Sequence, residues 1–241
     1  MKNITTLGLI FLLSTPLFAQ VGTTNMTLTN LQNTQIDLEQ KRETYGLNDM
    51  QLNELEGSPY TNSNFRVGNL YKNNTIVKKN VLLRYNAFSR QIEIKNNQDS
   101  DNDDYGSLIK DSDIQASING NKFILIPFEN SDEKGDYYEI LSHGATYDLY
   151  KKTNVRFVEP YIAKTSYEKN KPAKFIQSHV YYLSSTSDKK LLELPTSNRK
   201  IIKLLGEKDK DIKSFIKSND IDVSEEGDLI KIVKRYDSLF Q

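Results

Sequence analysis

Apolar and polar residues alternate along residues 80–95, and this alternation predicts two short antiparallel strands joined by a tight turn. Val81, Leu83 and Tyr85 point to one side of the first strand, and two isoleucines alternate with polar residues along the return strand, residues 91–95. A period of two is typical of a sheet with one buried and one solvated face. The hairpin is therefore expected to serve as scaffold.

Arg84 is the residue of this hairpin that departs from the pattern. It faces away from the apolar side of its strand and lies beside Leu82, so a charge shares a strand face with a leucine. Such an arrangement predicts a partly covered surface or an ion pair. On the return strand, Gln91, Glu93 and Lys95 are expected to face solvent.

Turn signals mark further strand pairs. Asn73 and Asn74 tolerate left-handed backbone, and Asn119 followed by Gly120 is a strong hairpin signal. Residues 122–128 form the most apolar run of the mature chain and predict a strand buried on both faces or at the sheet centre. Other strands are predicted at residues 67–71, 75–78, 114–118, 136–141, 146–150, 155–158, 175–183 and 190–194.

The hairpin around residues 142–145 is expected to place Tyr138 and Ile140 on the same face as Tyr147 and Leu149. The strands that follow it are separated by residues 159–174. That stretch contains two prolines and a Lys-rich middle, which predict a long exposed connection.

The period of the apolar residues changes to that of a helix after Pro195. Ser197 is placed to cap a first helix that ends at Gly206, and Ser224 is placed to cap the third. Three short amphipathic helices cannot bury their apolar stripes alone, so they are expected to pack together or on the sheet. Their apolar positions are Ile201, Ile202, Leu204, Leu205, Ile212, Phe215, Ile216, Leu229, Ile232, Val233, Tyr236, Leu239 and Phe240.

These patterns predict an α+β fold, in which a curved, mostly antiparallel β-sheet or partial barrel of about nine to eleven strands precedes a three-helix C-terminal region. The predicted division of the chain is a signal peptide at residues 1–19, a flexible N-terminal leader at 20–56, an antiparallel β domain at 57–195, and a C-terminal helical region at 196–241 packed on it.

The start of the chain has the pattern of a cleaved signal peptide. Lys2 supplies a positive charge, residues 7–13 are apolar, and Ala19 is a small residue at the expected cleavage point. A membrane-spanning helix needs roughly 20 apolar residues, more than this run contains. The chain has no Cys, so an exported fold would be held together by burial without disulfides. We expect a periplasmic, outer-membrane-associated or extracellular protein with no integral membrane span.

The charge balance argues against nucleic acid as a partner, because the chain has 32 basic and 32 acidic residues. Its 14 Tyr and no Trp suit half-buried strands. Six tyrosines on predicted strands are enough to build a stacking platform for sugars or single-stranded nucleic acid, although adjacent pairs face opposite sides and about half must be core. They are Tyr137, Tyr138, Tyr147, Tyr150, Tyr181 and Tyr182.

The sequence offers no pattern of catalytic residues. His143 lies in a predicted turn and His179 on a strand, and neither has a carboxylate at metal-ligand spacing. Residues 105–108, Tyr-Gly-Ser-Leu, lack the second Gly of a serine nucleophile elbow. We therefore assign no catalytic, cofactor-binding or metal-binding residue and no cofactor, while a hydrolase with a spatially assembled carboxylate pair stays open.

An acidic loop at residues 96–104 has part of the pattern of a calcium site. Asp99, Asp101 and Asp103 fall at the first, third and fifth positions of a calcium loop. The match then fails, because Asp104 replaces the required Gly and Lys110 stands where a bidentate Glu is needed. A solvated hairpin tip is the favoured interpretation.

Several of these stretches resemble a recurrent pattern in uncharacterised exported, β-rich envelope proteins of Bacteroidota-type bacteria. The matching pieces lie at residues 57–60, 65, 82–86, 92–95, 138–141, 149–151 and 228–236. The resemblance covers most of residues 55–240 and implies an envelope location and a β-then-α layout. It implies no catalytic residues.

The function expected first is that of a non-catalytic exported envelope protein that acts by binding another envelope protein, as an accessory subunit at the outer membrane. The alternative is a carrier or sensor of a small apolar or glycan ligand held in the curved sheet. A hydrolase is the third.

Overall fold

The computed structural model describes residues 29–30, 55–95, 105–128, 134–188 and 190–241. The predicted signal peptide and the acidic loop at residues 96–104 lie outside these ranges. The strands are β1 Thr29–Asn30, β2 Arg66–Lys72, β3 Thr75–Asn86, β4 Gln91–Lys95, β5 Tyr105–Ser107, β6 Ile114–Ile118, β7 Asn121–Ile126, β8 Asp136–His143, β9 Tyr147–Val158, β10 Lys174–Ser185 and β11 Leu191–Leu194. The helices are α1 Asn198–Leu204, α2 Asp209–Ser218 and α3 Glu226–Ser238, with a 3-10 turn at Gly206–Lys208.

All the strands belong to one antiparallel sheet in the order β1-β5-β4-β3-β2-β6-β7-β8-β9-β10-β11. Strand β2 lies between the two halves of the sheet, because β3 pairs with one of its edges and β6 with the other. One half is a meander of β3, β4 and β5, and the other is a meander of β6 to β11. The sheet is not closed into a barrel, and three helices follow it, so the predicted α+β architecture is confirmed.

Asparagine and glycine make the tight turns that were predicted. Asn73 and Asn74 have φ of 49° and 63° between β2 and β3, and Asn119 and Gly120 have φ of 51° and 90° between β6 and β7. Left-handed backbone at both central residues matches the twist of two-residue hairpins.

The sheet is strongly curved. Neighbouring strands lie about 4.8 Å apart, so two strands separated by two others would be about 14 Å apart in a flat sheet. Tyr85 on β3 and Phe123 on β7 are so separated, yet their ring centroids are 5.4 Å apart. The inner, concave face is therefore filled by its own side chains. This first core comprises Leu70, Val81, Leu83, Tyr85, Ala87, Ile92, Ile94, Leu108, Ile114, Ala116, Ile118, Phe123, Leu125 and Tyr137.

The helices cover the same inner face farther along the sheet. Leu149 on β9, with Tyr181 and Leu183 on β10, packs against Ile201, Ile232 and their helical neighbours in a second core. The expectation that the helices pack on the sheet is confirmed. Burying each side chain of this type contributes about 1.5–3 kcal/mol before opposing entropy.

Residues 55–65, called the tether below, connect two distant strands. Glu56 exchanges backbone hydrogen bonds with β10, donating to Ala173 O at 3.1 Å and accepting from Phe175 N–H at 2.9 Å. Farther along, Pro59 O accepts from Ala87 N–H at 2.9 Å, just after β3. The tether then lies over the outer face of β3 and β4.

Several local predictions are wrong. Tyr138 and Ile140 do not share a face with Leu149, because Ile140 pairs with Tyr150 and the register shifts between Ile140 and Ser142. For β7, one of the two predicted alternatives is confirmed: the strand lies in the middle of the sheet, but it is not buried on both faces, since Ile124 is only half-buried on the outer side.

Two helix caps also differ from the prediction. Ser197 occupies the cap position of α1 without making the side-chain hydrogen bond. Ser224 does not cap α3, which Glu225 precedes, because the Ser224 hydroxyl donates instead to Asp222 at 2.7 Å. Serine competes for nearby acceptors in this way.

Candidate functional site

The connection between β9 and β10, residues 159–173, is an ordered loop that we call the projecting loop. The backbones of Tyr161 and Lys171 exchange two hydrogen bonds of 2.9 and 2.8 Å. Above them, the Ala163 N–H donates to Asn170 Oδ1 at 2.8 Å. The predicted exposed connection is thus present, and its two arms are held together.

Glu168 holds a third point of the loop. Its Oε2 accepts the Tyr161 hydroxyl at 2.7 Å and the Lys164 N–H at 3.1 Å. Both hydrogen bonds favour the carboxylate and lower the pKa of Glu168. The carboxylate is therefore ionised at neutral pH and available to both donors.

The loop presents apolar side chains to solvent. Ile162 is 64% exposed and Tyr167 is 98% exposed. Lysines outnumber glutamates in the loop, with Lys164, Lys169 and Lys171 against Glu159 and Glu168, and Lys174 follows as the first residue of β10. An ordered loop with exposed apolar groups and a positive balance has the composition of a protein-binding surface.

Arg84, Glu93 and Asn86 form a polar cluster on the outer sheet face, called the Arg84 cluster. Glu93, predicted to face solvent, is 0% exposed. Its carboxylate accepts from Arg84 Nε at 2.6 Å and from Asn86 Nδ2 at 3.0 Å. Burial raises the pKa of Glu93, and the two donors lower it in opposition. Arg84 thus has both properties predicted for it, an ion pair and a partly covered position.

Aromatic rings enclose the Arg84 guanidinium. Its central carbon lies 3.8 Å from the Tyr60 ring centroid, 4.3 Å from Phe65 and 4.8 Å from Tyr105. The guanidinium also donates to the Tyr60 hydroxyl and to Ser63 O, each at 3.0 Å. The chain's own arginine fills this aromatic cage, so its role is to fix the tether on the sheet.

His143 forms a histidine–carboxylate pair that sequence spacing did not reveal. Its Nδ1 lies 2.6 Å from Asp148 Oδ1, and the Tyr150 hydroxyl donates to Asp148 Oδ2 at 3.0 Å. The pair is brought together across the β8–β9 hairpin. The His143 side chain is 77% exposed at the hairpin end, and it lines none of the depressions described below. At this exposure the imidazole is open to water.

His179 lies on β10 and faces solvent, with its Nδ1 3.2 Å from Thr153 Oγ1. The structure does not bring the two histidines together. Within the described ranges, no group of three or more His, Asp or Glu side chains is placed to hold a metal ion.

The six tyrosines do not form an exposed stacking platform. Tyr137, Tyr138, Tyr150 and Tyr181 are buried. The remaining two are half-buried: Tyr147 contacts Tyr236 and Tyr182 contacts Tyr138. Burial and the nearby Glu226 carboxylate together raise the pKa of the Tyr181 hydroxyl to about 12. Their positions are those of packing residues.

Three depressions of the described surface bear on the ligand-carrier hypothesis. They have volumes of about 270, 280 and 430 Å³ and lie between α2 and α3, beside the end of β11, and around residues 109–112. At most one tyrosine lines each of them. The inner face of the sheet is filled by the first core, which leaves the ligand-carrier hypothesis without a supporting cavity among these three.

The chain matches no protein-family model, no curated protein and no solved structure. In the described part of the chain, no helix is both long and apolar enough to cross a bilayer. We therefore identify the projecting loop as the candidate site from its own geometry.

Sequence reasoning located this loop but did not single out its apolar residues. Two prolines and the lysines marked residues 159–174 as a connection. The available signal was Ile162 and Tyr167 inside an otherwise polar, predicted loop, where apolar side chains have no strand or helix face to bury them.

Proposed function

We propose that this protein is a non-catalytic exported component of the bacterial envelope that binds another envelope protein through the projecting loop. The observation that carries the proposal is the exposure of Ile162 and Tyr167 on a loop whose two arms are joined by hydrogen bonds. A preorganised loop loses little conformational entropy on binding, so its apolar side chains can contribute their full burial to affinity.

The partner is a protein with an acidic rim around an apolar recess. The four lysines in residues 159–174 favour negative charge, and electrostatic complementarity raises the association rate and selects partners. The aromatic ring of Tyr167 is suited to be an anchor, since aromatic residues dominate the energetics of small interfaces.

The proposed location is the periplasm or the periphery of the outer membrane. It rests on the signal-peptide pattern of residues 1–19 and on the resemblance to exported envelope proteins. The lack of Cys is compatible with export, because the two cores supply burial without disulfides.

We expect the double variant Ile162→Asp/Tyr167→Ala to recover at least about tenfold less partner than the wild type does, since both anchors would be removed. The measurement is affinity purification of the tagged protein from native envelopes, with quantitative mass spectrometry. Val77→Asp is the control, because Val77 is also an exposed apolar residue and lies on the β2–β3 hairpin, away from the loop. Recovery of the wild type with no partner, or equal recovery by the double variant, would contradict the proposal.

A further inference from the structure

One edge of β10 is incompletely paired. On one side, all twelve residues from Lys174 to Ser185 pair with β9. On the other side, β11 pairs only with residues 181–184, and Glu56 pairs at Lys174. Among the described strands, the stretch of β10 between these two contacts pairs with a neighbour on one side only.

The direction of the backbone groups in this gap follows from the ladder. In an antiparallel ladder, successive residues send their N–H and C=O alternately to the two sides. Phe175 donates its N–H to Glu56, away from β9, and the β9–β10 register is continuous. The backbone groups of Gln177 and His179 therefore point into the gap, whereas those of Ser178 point to β9.

The side chains at the gap leave it accessible. Gln177 Nε2 already donates to Ser58 O and Tyr60 O, at 3.2 and 2.7 Å, which closes the end nearest the tether. Ser178 and His179 are exposed. Beside them lies the depression of about 280 Å³, whose walls include His179, Leu194, Pro195 and Lys200.

Natural sheets usually blunt open edges with proline, lysine, a bulge or a covering segment, because unpaired edge groups pair with other chains. Residues 177–180 contain neither proline nor lysine, and the β9–β10 register has no bulge. Within the described part of the chain, the tether and β11 cover the two ends of this stretch and no strand pairs with its middle. This arrangement has the features of a short strand-addition site.

We infer that the gap along β10 binds an extended, acidic segment of the partner protein as an added strand, with one side chain in the depression beside Leu194. The inference rests on the proposed function and specifies how the partner binds. In the depression the charges of Lys200 and Glu193 balance. The projecting loop, which leads directly into β10, carries three lysines against two glutamates, and Lys174 begins the strand itself. This positive balance at the start of β10 favours an acidic partner.

The test uses proline to remove one backbone donor. His179→Pro deletes an N–H that points into the gap and leaves the β9 ladder intact, so the fold should tolerate it as edge strands do. His179→Ala removes the same side chain and keeps the N–H. A phage-displayed library of random eight-residue peptides is panned on the purified chain, and fluorescent copies of the enriched peptides are titrated against all three proteins.

We expect acidic peptides that bind the wild type and His179→Ala within about threefold of each other, and His179→Pro at least about tenfold more weakly. Thermal unfolding of the three proteins verifies that they are folded. If His179→Pro is unfolded, the same loss should appear when the peptide residue facing His179 is N-methylated. No enrichment over a blank surface, equal binding by His179→Pro, or enrichment of peptides without acidic residues would overturn the inference.

The two proposals fail in different ways. If His179→Pro still recovers the native partner while the loop double variant does not, strand addition is wrong and loop binding stands. If neither variant changes recovery, the proposed function itself is wrong. A wild-type dimer that His179→Pro abolishes would show that a second copy of this chain, and not a partner protein, fills the gap.

Discussion

Replacing Arg84 by Met should lower the free energy of unfolding by about 3–5 kcal/mol, the usual cost of removing one member of a buried ion pair. Glu93 would keep a buried carboxylate with Asn86 as its remaining donor, and the tether would lose the cation on which Tyr60 and Phe65 are stacked. Urea unfolding followed by tyrosine fluorescence measures the change.

A loss of stability caused by the unpaired Glu93 charge can be distinguished from one caused by lost packing. In Arg84→Met/Glu93→Gln an uncharged amide replaces the carboxylate, so we expect the double variant to recover more than half of the lost stability. Lowering the pH should also reduce the deficit of the single variant, because protonation of Glu93 removes the unpaired charge. Arg66→Met is the matched control, since Arg66 is exposed on β2 and should change stability by less than about 0.5 kcal/mol. A deficit that the second substitution leaves unchanged would show that the ion pair is not its cause.

Asp237→Ala should destabilise the protein by about 2–4 kcal/mol, because it removes the acceptor for three backbone donors at once. The Asp237 carboxylate, near the end of α3, accepts from Ala145, Thr146 and Tyr147 N–H at 3.2, 2.8 and 2.8 Å in the β8–β9 turn. Gly144 permits this approach, since a Cβ there would lie 2.6 Å from Asp237 Cγ.

The same contact predicts a pH dependence with a defined sign. Burial opposes ionisation of Asp237, but the turn amides and Gln241 outweigh it and lower its pKa below the ordinary 3.8. A lowered folded-state pKa stabilises the fold above the unfolded value and loses that contribution as pH falls through the folded value. The stability difference between the wild type and Asp237→Asn should therefore be full at pH 7 and shrink below about pH 4. Asp211→Ala, on the exposed side of α2, should show neither effect.

The hairpins were predictable because their signals are local. Asn119 and Gly120 specify a turn by backbone preference, and the strands on either side alternate with a period of two. The helices were predictable for the same reason, since their apolar positions repeat at helical spacing. The sheet face on which Tyr138 and Ile140 lie was not predictable, because the register shift beside Ile140 leaves no signal in the residue composition.

The burial of Glu93 could not be predicted from its own strand. The period-two pattern placed it on the solvated face, and it does lie on the outer face. Its cover comes from Arg84 and from rings of the tether and β5, and this contact depends on how distant segments fold together. The candidate site was predictable in position but not in shape, since the hydrogen bonds that order the projecting loop join side chains to backbone across its two arms.

The tether has a consequence for the order of folding. Most strand pairs join consecutive strands, so their ends meet with little loop-closure entropy. The contact between Gln177 and Ser58 instead joins residues 119 positions apart and requires both meanders to be in place. We expect the tether to dock late in folding and to detach first in native-state fluctuations, so that its amides exchange with solvent before those of the first core. A partner that binds the neighbouring edge of β10 would then hold down the least persistent part of the sheet and slow its opening.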